Sequence, residues 1–132
     1  MGYPLQGRAT FQLAGGAQAP AKARQIVTVT IGVVLPEDRA YQASLLTSEI
    51  VSNSVLHGEA SDEDQIELAL SWNAERVRLE VTDTGPGFRA AGTDRDRDGG
   101  WGLTLVESMS DRWGIERGDR TRVWFELGRE AA

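Results

Sequence analysis

The alternation of hydrophobic and polar residues along the chain predicts five strands and two helices, and it leaves one segment open. Residues 77–82 alternate as a strand with one buried face does, and residues 66–72 precede them across a short polar turn. Apolar spacing in residues 103–110 suits a short amphipathic helix. The predicted strands are residues 8–13, 66–72, 77–82, 113–116 and 121–127, and the two predicted helices are residues 36–57 and 103–110.

Residues 19–35 carry conflicting local signals. Residues 26–31 are mostly β-branched, which favours a strand. Pro20, near the start of an alanine-rich stretch, is instead typical of the first turn of a helix. The local pattern therefore leaves both structures open.

Two polar residues, Glu49 and Asn53, fall on the apolar side of the helix predicted over residues 36–57. At ~100° per residue, one arc of roughly 140° contains Leu45, Leu46, Ile50 and Leu56. Glu49, Asn53 and His57 lie in the same arc. A carboxylate and an amide placed there are costly unless partners satisfy them. A divalent cation with a phosphate-bearing ligand would do so, and neighbouring backbone would also suffice.

Asp83 ends the strand predicted over residues 77–82 and is followed by the turn sequence Thr84-Gly85-Pro86-Gly87. Two glycines around a proline allow the backbone to approach a ligand closely, because no side chain intervenes. A carboxylate fixed at that point can accept a hydrogen bond from an exocyclic amine such as that of adenine. An ordinary capped turn explains the same residues equally simply.

A second glycine-rich sequence, Gly99-Gly100-Trp101-Gly102, leads into the helix predicted over residues 103–110. Such a loop exposes backbone N–H groups beside the positive end of the helix dipole, which favours an anion. No Gly-Lys-Ser/Thr follows, and no strand leads directly into the loop, so neither the Walker nor the Rossmann phosphate motif applies.

Charge and composition narrow the functional class. The formal net charge of −6 argues against a nucleic-acid-binding surface and is compatible with binding to basic protein surfaces. The absence of cysteine excludes disulfides and zinc–thiolate sites and permits a reducing cytoplasm. We find no signal peptide and no apolar run long enough for a bilayer, so we expect a cytoplasmic protein that contacts neither nucleic acid nor membrane.

Taken in order, these segments resemble a known ATPase superfamily that includes gyrase and the histidine kinases. The shared features are Glu-x-x-x-Asn on a helix, a strand ending in Asp-x-Gly-x-Gly, and Gly-x-Gly-Leu opening a helix. Residues 48–58, 102–114 and 121–127 are more closely similar to the anti-sigma factor serine/threonine kinases of bacteria. The resemblance extends over about residues 8–128.

This resemblance implies an α+β fold. The expected architecture is a Bergerat-type two-layer α/β sandwich, with helices on one face of a largely antiparallel mixed sheet. Residues 1–132 would form a single histidine-kinase-like ATP-binding domain, and 132 residues are enough for one core but not two. The ambiguous residues 19–35 would be helical. Residues 84–101 would form the lid over the nucleotide, and residues 89–98 within it show no apolar period.

The resemblance also implies the ligands, which are ATP and Mg²⁺. Asn53 would bind Mg²⁺ through its amide oxygen, leaving the cation to bridge the phosphates. Asp83 would hold the adenine amine, with Thr121 as a second contact. The glycines would shape the pocket: Gly85 and Gly87 at the adenine, and Gly100, Gly102 and the helix start at Leu103 at the phosphates.

Glu49 would be the general base of a protein kinase, taking a proton from an attacking serine hydroxyl or orienting a water molecule. The implied partners are an anti-anti-sigma protein of the STAS type, carrying the acceptor serine or threonine, and a sigma factor that is sequestered. A homodimer is implied as well.

One residue departs from the family pattern. Trp101 stands between Gly100 and Gly102, where the family usually has arginine. Loss of that cation would weaken phosphate binding or slow transfer, although the contacts expected there are mainly from the backbone. A non-catalytic protein-binding switch controlled by ATP or ADP therefore stays open as the alternative. A plain ATPase is disfavoured, because 132 residues leave no room for a transducer domain.

Overall fold

Antiparallel strands form one open sheet in the part of the chain that the computed structural model describes, which is residues 6–56, 65–83, 103–117 and 120–129. The elements in these ranges are β1 (Gly7–Ala14), α1 (Ala19–Ile31), α2 (Glu37–Leu56), β2 (Gln65–Trp72), β3 (Arg76–Asp83), α3 (Leu103–Met109), β4 (Arg112–Arg117) and β5 (Thr121–Gly128). The strand order is β1-β2-β3-β5-β4, with every neighbouring pair antiparallel. The predicted two-layer α+β fold is confirmed. None of these helices is long and apolar enough to cross a membrane.

Helix α1 forms despite its β-branched sequence because one of its sides is entirely apolar. Four residues at four-residue intervals, each at most 1% exposed, make up this side: Ala19, Ala23, Val27 and Ile31. Pro20 lies in the first turn, where its missing N–H is not needed. Burial of this side outweighs the local strand preference, so the predicted helix is confirmed, although it ends at Ile31 rather than at residue 35.

The side that helix α2 buries coincides only in part with the one predicted. Its fully enclosed residues include Ala43, Leu46, Thr47, Ile50 and Ser54, none more than 1% exposed. At ~100° per residue Leu45 lies roughly opposite these residues, and it is only half-buried. The predicted apolar arc is therefore correct at Leu46 and Ile50 and wrong at Leu45. Two residues with polar side chains, Thr47 and Ser54, occupy the centre of the buried side instead.

Strand β3 brings Asp83 onto the side of the sheet that faces the helices. Side chains alternate along a strand, so Val77, Leu79, Val81 and Asp83 point the same way, and all four are fully buried. Asp83 lies at the end of this row, opposite Thr121 in the antiparallel pairing of β3 with β5. The hydrophobic core therefore gives way to polar groups at one end of the central strands.

The other face of the sheet, here called the outer face, carries charged pairs between neighbouring strands. Glu126 accepts hydrogen bonds from Arg78 at 2.9 Å and from Arg76 at 3.3 Å. Arg112 Nη1 lies 3.5 Å from the same carboxylate. These four residues are called the Glu126 cluster below. Since they come from β3, β4 and β5, the cluster links three strands through their side chains.

Trp124 lies beside this cluster on the outer face. The Arg78 guanidinium carbon is 4.0 Å from the centroid of its ring, a cation–π contact. Gly114 is its partner across the β4–β5 pairing, and a Cβ atom on Gly114 would come within 2.8 Å of the indole. The indole therefore occupies the space that a side chain at position 114 would need.

Candidate functional site

Asp83 is held by a hydrogen bond from α2. Ser54 Oγ donates to Asp83 Oδ2 at 3.1 Å, and both residues are 0% exposed. A carboxylate at that depth is stable only where donors or cations surround it. Asp83 is thus a fixed hydrogen-bond acceptor at the end of β3, which is the position that the sequence predicted for it.

Ser54 is the site residue that sequence reasoning missed. It follows Ile50 by four residues, so it shares that residue's buried side. This spacing was a usable signal, because a serine in a buried stripe needs a partner for its hydroxyl. The identity of that partner was not readable from the sequence, since Asp83 lies 29 residues further along the chain.

Thr121 lies directly opposite Asp83 in the β3–β5 pairing. Side chains at such positions point to the same face and have Cβ atoms roughly 5 Å apart. Thr121 is 4% exposed, and its Oγ1 atom is buried without a hydrogen-bond partner. The structure therefore brings the two residues predicted to contact adenine next to each other, and one of them has an unused hydroxyl.

Asn53 precedes Ser54 on α2 and is 8% exposed. Its Nδ2 atom is also buried without a partner. The other buried side-chain atoms in this condition, within the described residues, are Gln42 Oε1, Trp72 Nε1 and Arg122 Nε. Leaving a buried polar group unsatisfied costs about 1–3 kcal/mol, so a ligand that contacts Asn53 and Thr121 would remove two such costs.

Glu49 is half-buried and lies one helical turn before Asn53 on α2. Residues four apart on a helix lie on the same side, so the Glu49 carboxylate and the Asn53 amide are neighbours. The arrangement places an acidic group beside the amide. Along α2, Asn53 lies between this group and Ser54, the residue that contacts Asp83. Glu49 is thus separated along α2 from the residues predicted to contact the base.

Helix α3 begins at Leu103, as predicted, and lies against α2 and β4, with Val106 fully buried. Several predicted site residues lie outside the described residues: Gly85, Gly87, Gly100 and Gly102, together with Trp101, His57 and the lid over residues 84–101. Their roles stay predictions. The described part of the site consists of α2 and the adjoining ends of β3 and β5.

The donor set suits a cation held largely by a substrate. Among the described residues, no group of three or more His, Cys, Asp or Glu side chains could hold a metal ion. Mg²⁺ in phosphate sites commonly uses only one or two protein ligands and completes its shell with phosphate oxygens and water. A single amide oxygen from Asn53, an uncharged hard ligand, fits that pattern.

Comparison with known proteins agrees with this geometry. A family model described as a histidine kinase-like ATPase domain matches residues 16–127, a range that includes every candidate site residue. The fold is similar to that in "The crystal structure of the RsbU and RsbW domains of Rv1364c from Mycobacterium tuberculosis", with a TM-score of 0.73 and 21% sequence identity. That match covers 95% of this chain and 34% of the other, so the chain spans about a third of the solved protein. A search of curated proteins finds no match.

Proposed function

Since the chain belongs to the family of histidine kinase-like ATPase domains, we propose that it is a bacterial Mg-ATP-dependent protein serine/threonine kinase of the anti-sigma factor type. The observation that carries the proposal is the buried Ser54–Asp83 hydrogen bond, with the unsatisfied Thr121 hydroxyl opposite Asp83 and the unsatisfied Asn53 amide next to Ser54 on α2. Polar groups left incomplete at one end of a hydrophobic core support a ligand site there.

The adenine end of the site is Asp83 with Thr121. An ionised carboxylate can only accept hydrogen bonds, so Asp83 would receive the exocyclic amine of adenine. The Thr121 hydroxyl both donates and accepts, and it would complete the contacts to the ring. Gly85 and Gly87 would let the backbone approach the base without obstruction.

The phosphate end is Asn53, with backbone N–H groups of Gly100, Gly102 and Leu103. Bound Mg²⁺ would neutralise the negative charge that develops on the phosphates during transfer. Asn53 would hold it through the amide oxygen, and the amide nitrogen would then be free to donate to a phosphate oxygen. The backbone N–H groups would contact the remaining oxygens.

Glu49 would act on the acceptor. The hydroxyl oxygen of a serine or threonine bonds to the γ-phosphorus, and the bond from that phosphorus to the β–γ bridging oxygen breaks, releasing ADP. The hydroxyl proton passes to the Glu49 carboxylate. A half-buried position suits this role, because the carboxylate has to meet a protein substrate arriving from solvent.

The acceptor is an anti-anti-sigma protein of the STAS type, and the second partner is a sigma factor that the kinase sequesters. Two observations support these partners: the resemblance of residues 48–58 and 102–114 to that kinase family, and the likeness of the fold to a solved protein described by its RsbW domain. The kinase works as a homodimer in the cytoplasm.

Phosphotransfer tests the proposal directly. The purified chain is incubated with γ-labelled ATP, Mg²⁺ and a candidate STAS protein, beside the same STAS protein with alanine at its acceptor residue. Label should enter the first protein only. Trp101 favours a second candidate function, an ATP- or ADP-controlled switch without chemistry, because it replaces a cation usual in the family. ATP binding without label transfer to any STAS partner would select the switch.

A further inference from the structure

Ser54 behaves differently from the other buried hydroxyl residues of α2. Ser44, Thr47 and Ser48 each donate to a carbonyl oxygen of their own helix three or four residues earlier, at 2.8–3.0 Å. That local hydrogen bond is the usual way for a buried helical serine or threonine to be satisfied. Ser54 instead donates out of the helix, to Asp83 on β3.

We propose that Ser54 is a positioning residue that sets the base specificity of this chain by orienting the Asp83 carboxylate. The proposal rests on the nucleotide site proposed above and adds a residue to it. The terminal torsion of an aspartate side chain has a broad distribution, so the carboxylate plane is not fixed by the backbone. A donor held rigidly on a packed helix fixes that plane through Oδ2.

The same hydrogen bond also bears on which base Asp83 accepts. A hydroxyl that donates to a carboxylate stabilises its ionised form, which has acceptors and no donor. An ionised, oriented Asp83 accepts a hydrogen bond from an amine on the base and repels a carbonyl oxygen at the same place. Ser54 therefore affects how strongly the site prefers adenine over a base with oxygen at that position. It does not affect binding of the phosphates.

The test measures a ratio of affinities. Binding of Mg-ATP and of Mg-inosine triphosphate, which carries oxygen in place of the adenine amine, is titrated calorimetrically for the full chain and its variants. Ser54→Ala should lower the ratio of ATP to inosine triphosphate affinity by ~10-fold, because Asp83 loses the hydrogen bond that orients its Oδ2 atom. Ser44→Ala is the matched control, a buried hydroxyl on the same helix that does not contact Asp83, and it should keep the parent ratio.

Two further variants separate positioning from folding. Ser54→Cys is close to serine in size and is only a weak donor, so it should lower the ratio while the far-ultraviolet circular dichroism stays that of the parent. Ser54→Thr keeps the hydroxyl and should restore most of the discrimination. A parent-like ratio in folded Ser54→Ala or Ser54→Cys would overturn the role of Ser54 and leave the nucleotide site standing. A parent chain that binds neither nucleotide would instead overturn the proposed function itself.

Discussion

The Glu126 cluster on the outer face of the sheet and the polar groups near Asp83, on the side of the helices, differ in how far they are satisfied. On the outer face, Glu126 accepts two arginine hydrogen bonds and has a third arginine within 3.5 Å. On the side of the helices, Asn53 of α2 and Thr121 of β5 each keep a buried atom without a hydrogen-bond partner. A polar cluster that completes itself contributes to the stability of the fold. Where a polar cluster keeps unsatisfied groups in the protein alone, a ligand is expected to bind.

Glu49→Gln gives the largest expected effect. The amide is close in size to the carboxylate but cannot take a proton, so phosphotransfer should fall by ~10²–10⁴ while Mg-ATP affinity stays near that of the parent. The measurements are label transfer to the STAS partner and a parallel ATP titration. Undiminished transfer would remove Glu49 from the mechanism, whereas lost binding would assign it to the nucleotide pocket.

Mg-ATP should stabilise the folded chain, because the ligand satisfies the Asn53 amide and the Thr121 hydroxyl only in the native state. At ~100 times its dissociation constant the ligand adds about 2.7 kcal/mol to the free energy of unfolding. A thermal melt with and without millimolar Mg-ATP measures the shift. Melting curves unmoved by both ATP and ADP would contradict the nucleotide site.

Asp83→Asn and Asn53→Ala should separate the two ends of the site. Asparagine at position 83 replaces one acceptor oxygen with a donor, so discrimination for adenine nucleotides should be lost, at a cost of about 1–3 kcal/mol in ATP binding. Alanine at position 53 should instead abolish the Mg²⁺ dependence of binding. Titrations with and without Mg²⁺ check both. Parent-like behaviour of the two variants would refute the residue assignments.

Glu126→Gln tests the outer face and should have the smallest effect. Two of its three arginine partners are 41% and 62% exposed, so the loss of charge should lower the free energy of unfolding by about 1–2 kcal/mol. ATP affinity should not change. Urea unfolding and an ATP titration measure the two quantities. A variant with weakened ATP binding would show that the two faces are coupled.

The effect of Glu126→Gln should also depend on pH. Burial opposes ionisation, but hydrogen bonds from Arg78 and Arg76, together with the positive charges of Arg112 and Arg78, outweigh it, so the pKa of Glu126 lies below its ordinary value of 4.5. A lowered pKa in the folded state gives stability that is complete above 4.5 and is lost as the pH falls through the folded-state pKa. The difference between parent and variant should therefore be constant near neutral pH and shrink in acid.

Most of the fold could be predicted because alternation and spacing are local. The strand predicted over residues 66–72 differs from β2 by one residue at its start, and the strand predicted over residues 77–82 differs from β3 by one residue at each end. The local pattern alone could not predict the structure of residues 19–35, because their β-branched residues favour a strand. Only the packing of Ala23 and Val27 against the rest of the core makes the helix the better structure.

The candidate site was predicted in part for the same reason. Asn53 and Asp83 were selected from motifs, and both are buried in the structure, while their roles stay predictions. The buried side of α2 was predicted only in part, because Thr47 satisfies its hydroxyl within the helix, at 2.8 Å from the Ala43 carbonyl, and so packs as an apolar residue. The contact of Ser54 with Asp83 depends on how α2 packs against β3, and no local sequence pattern specifies that packing.

The close fit of Trp124 over Gly114 has a consequence for how the sequence can change. Any residue other than glycine at position 114 would bring its Cβ within 2.8 Å of the indole, so that change is tolerated only after Trp124 has become smaller. A smaller residue at position 124 would in turn remove the ring that Arg78 covers. The constraint therefore runs in one direction: divergent relatives that lack the glycine should also lack the tryptophan, whereas relatives with a smaller residue at position 124 can keep the glycine.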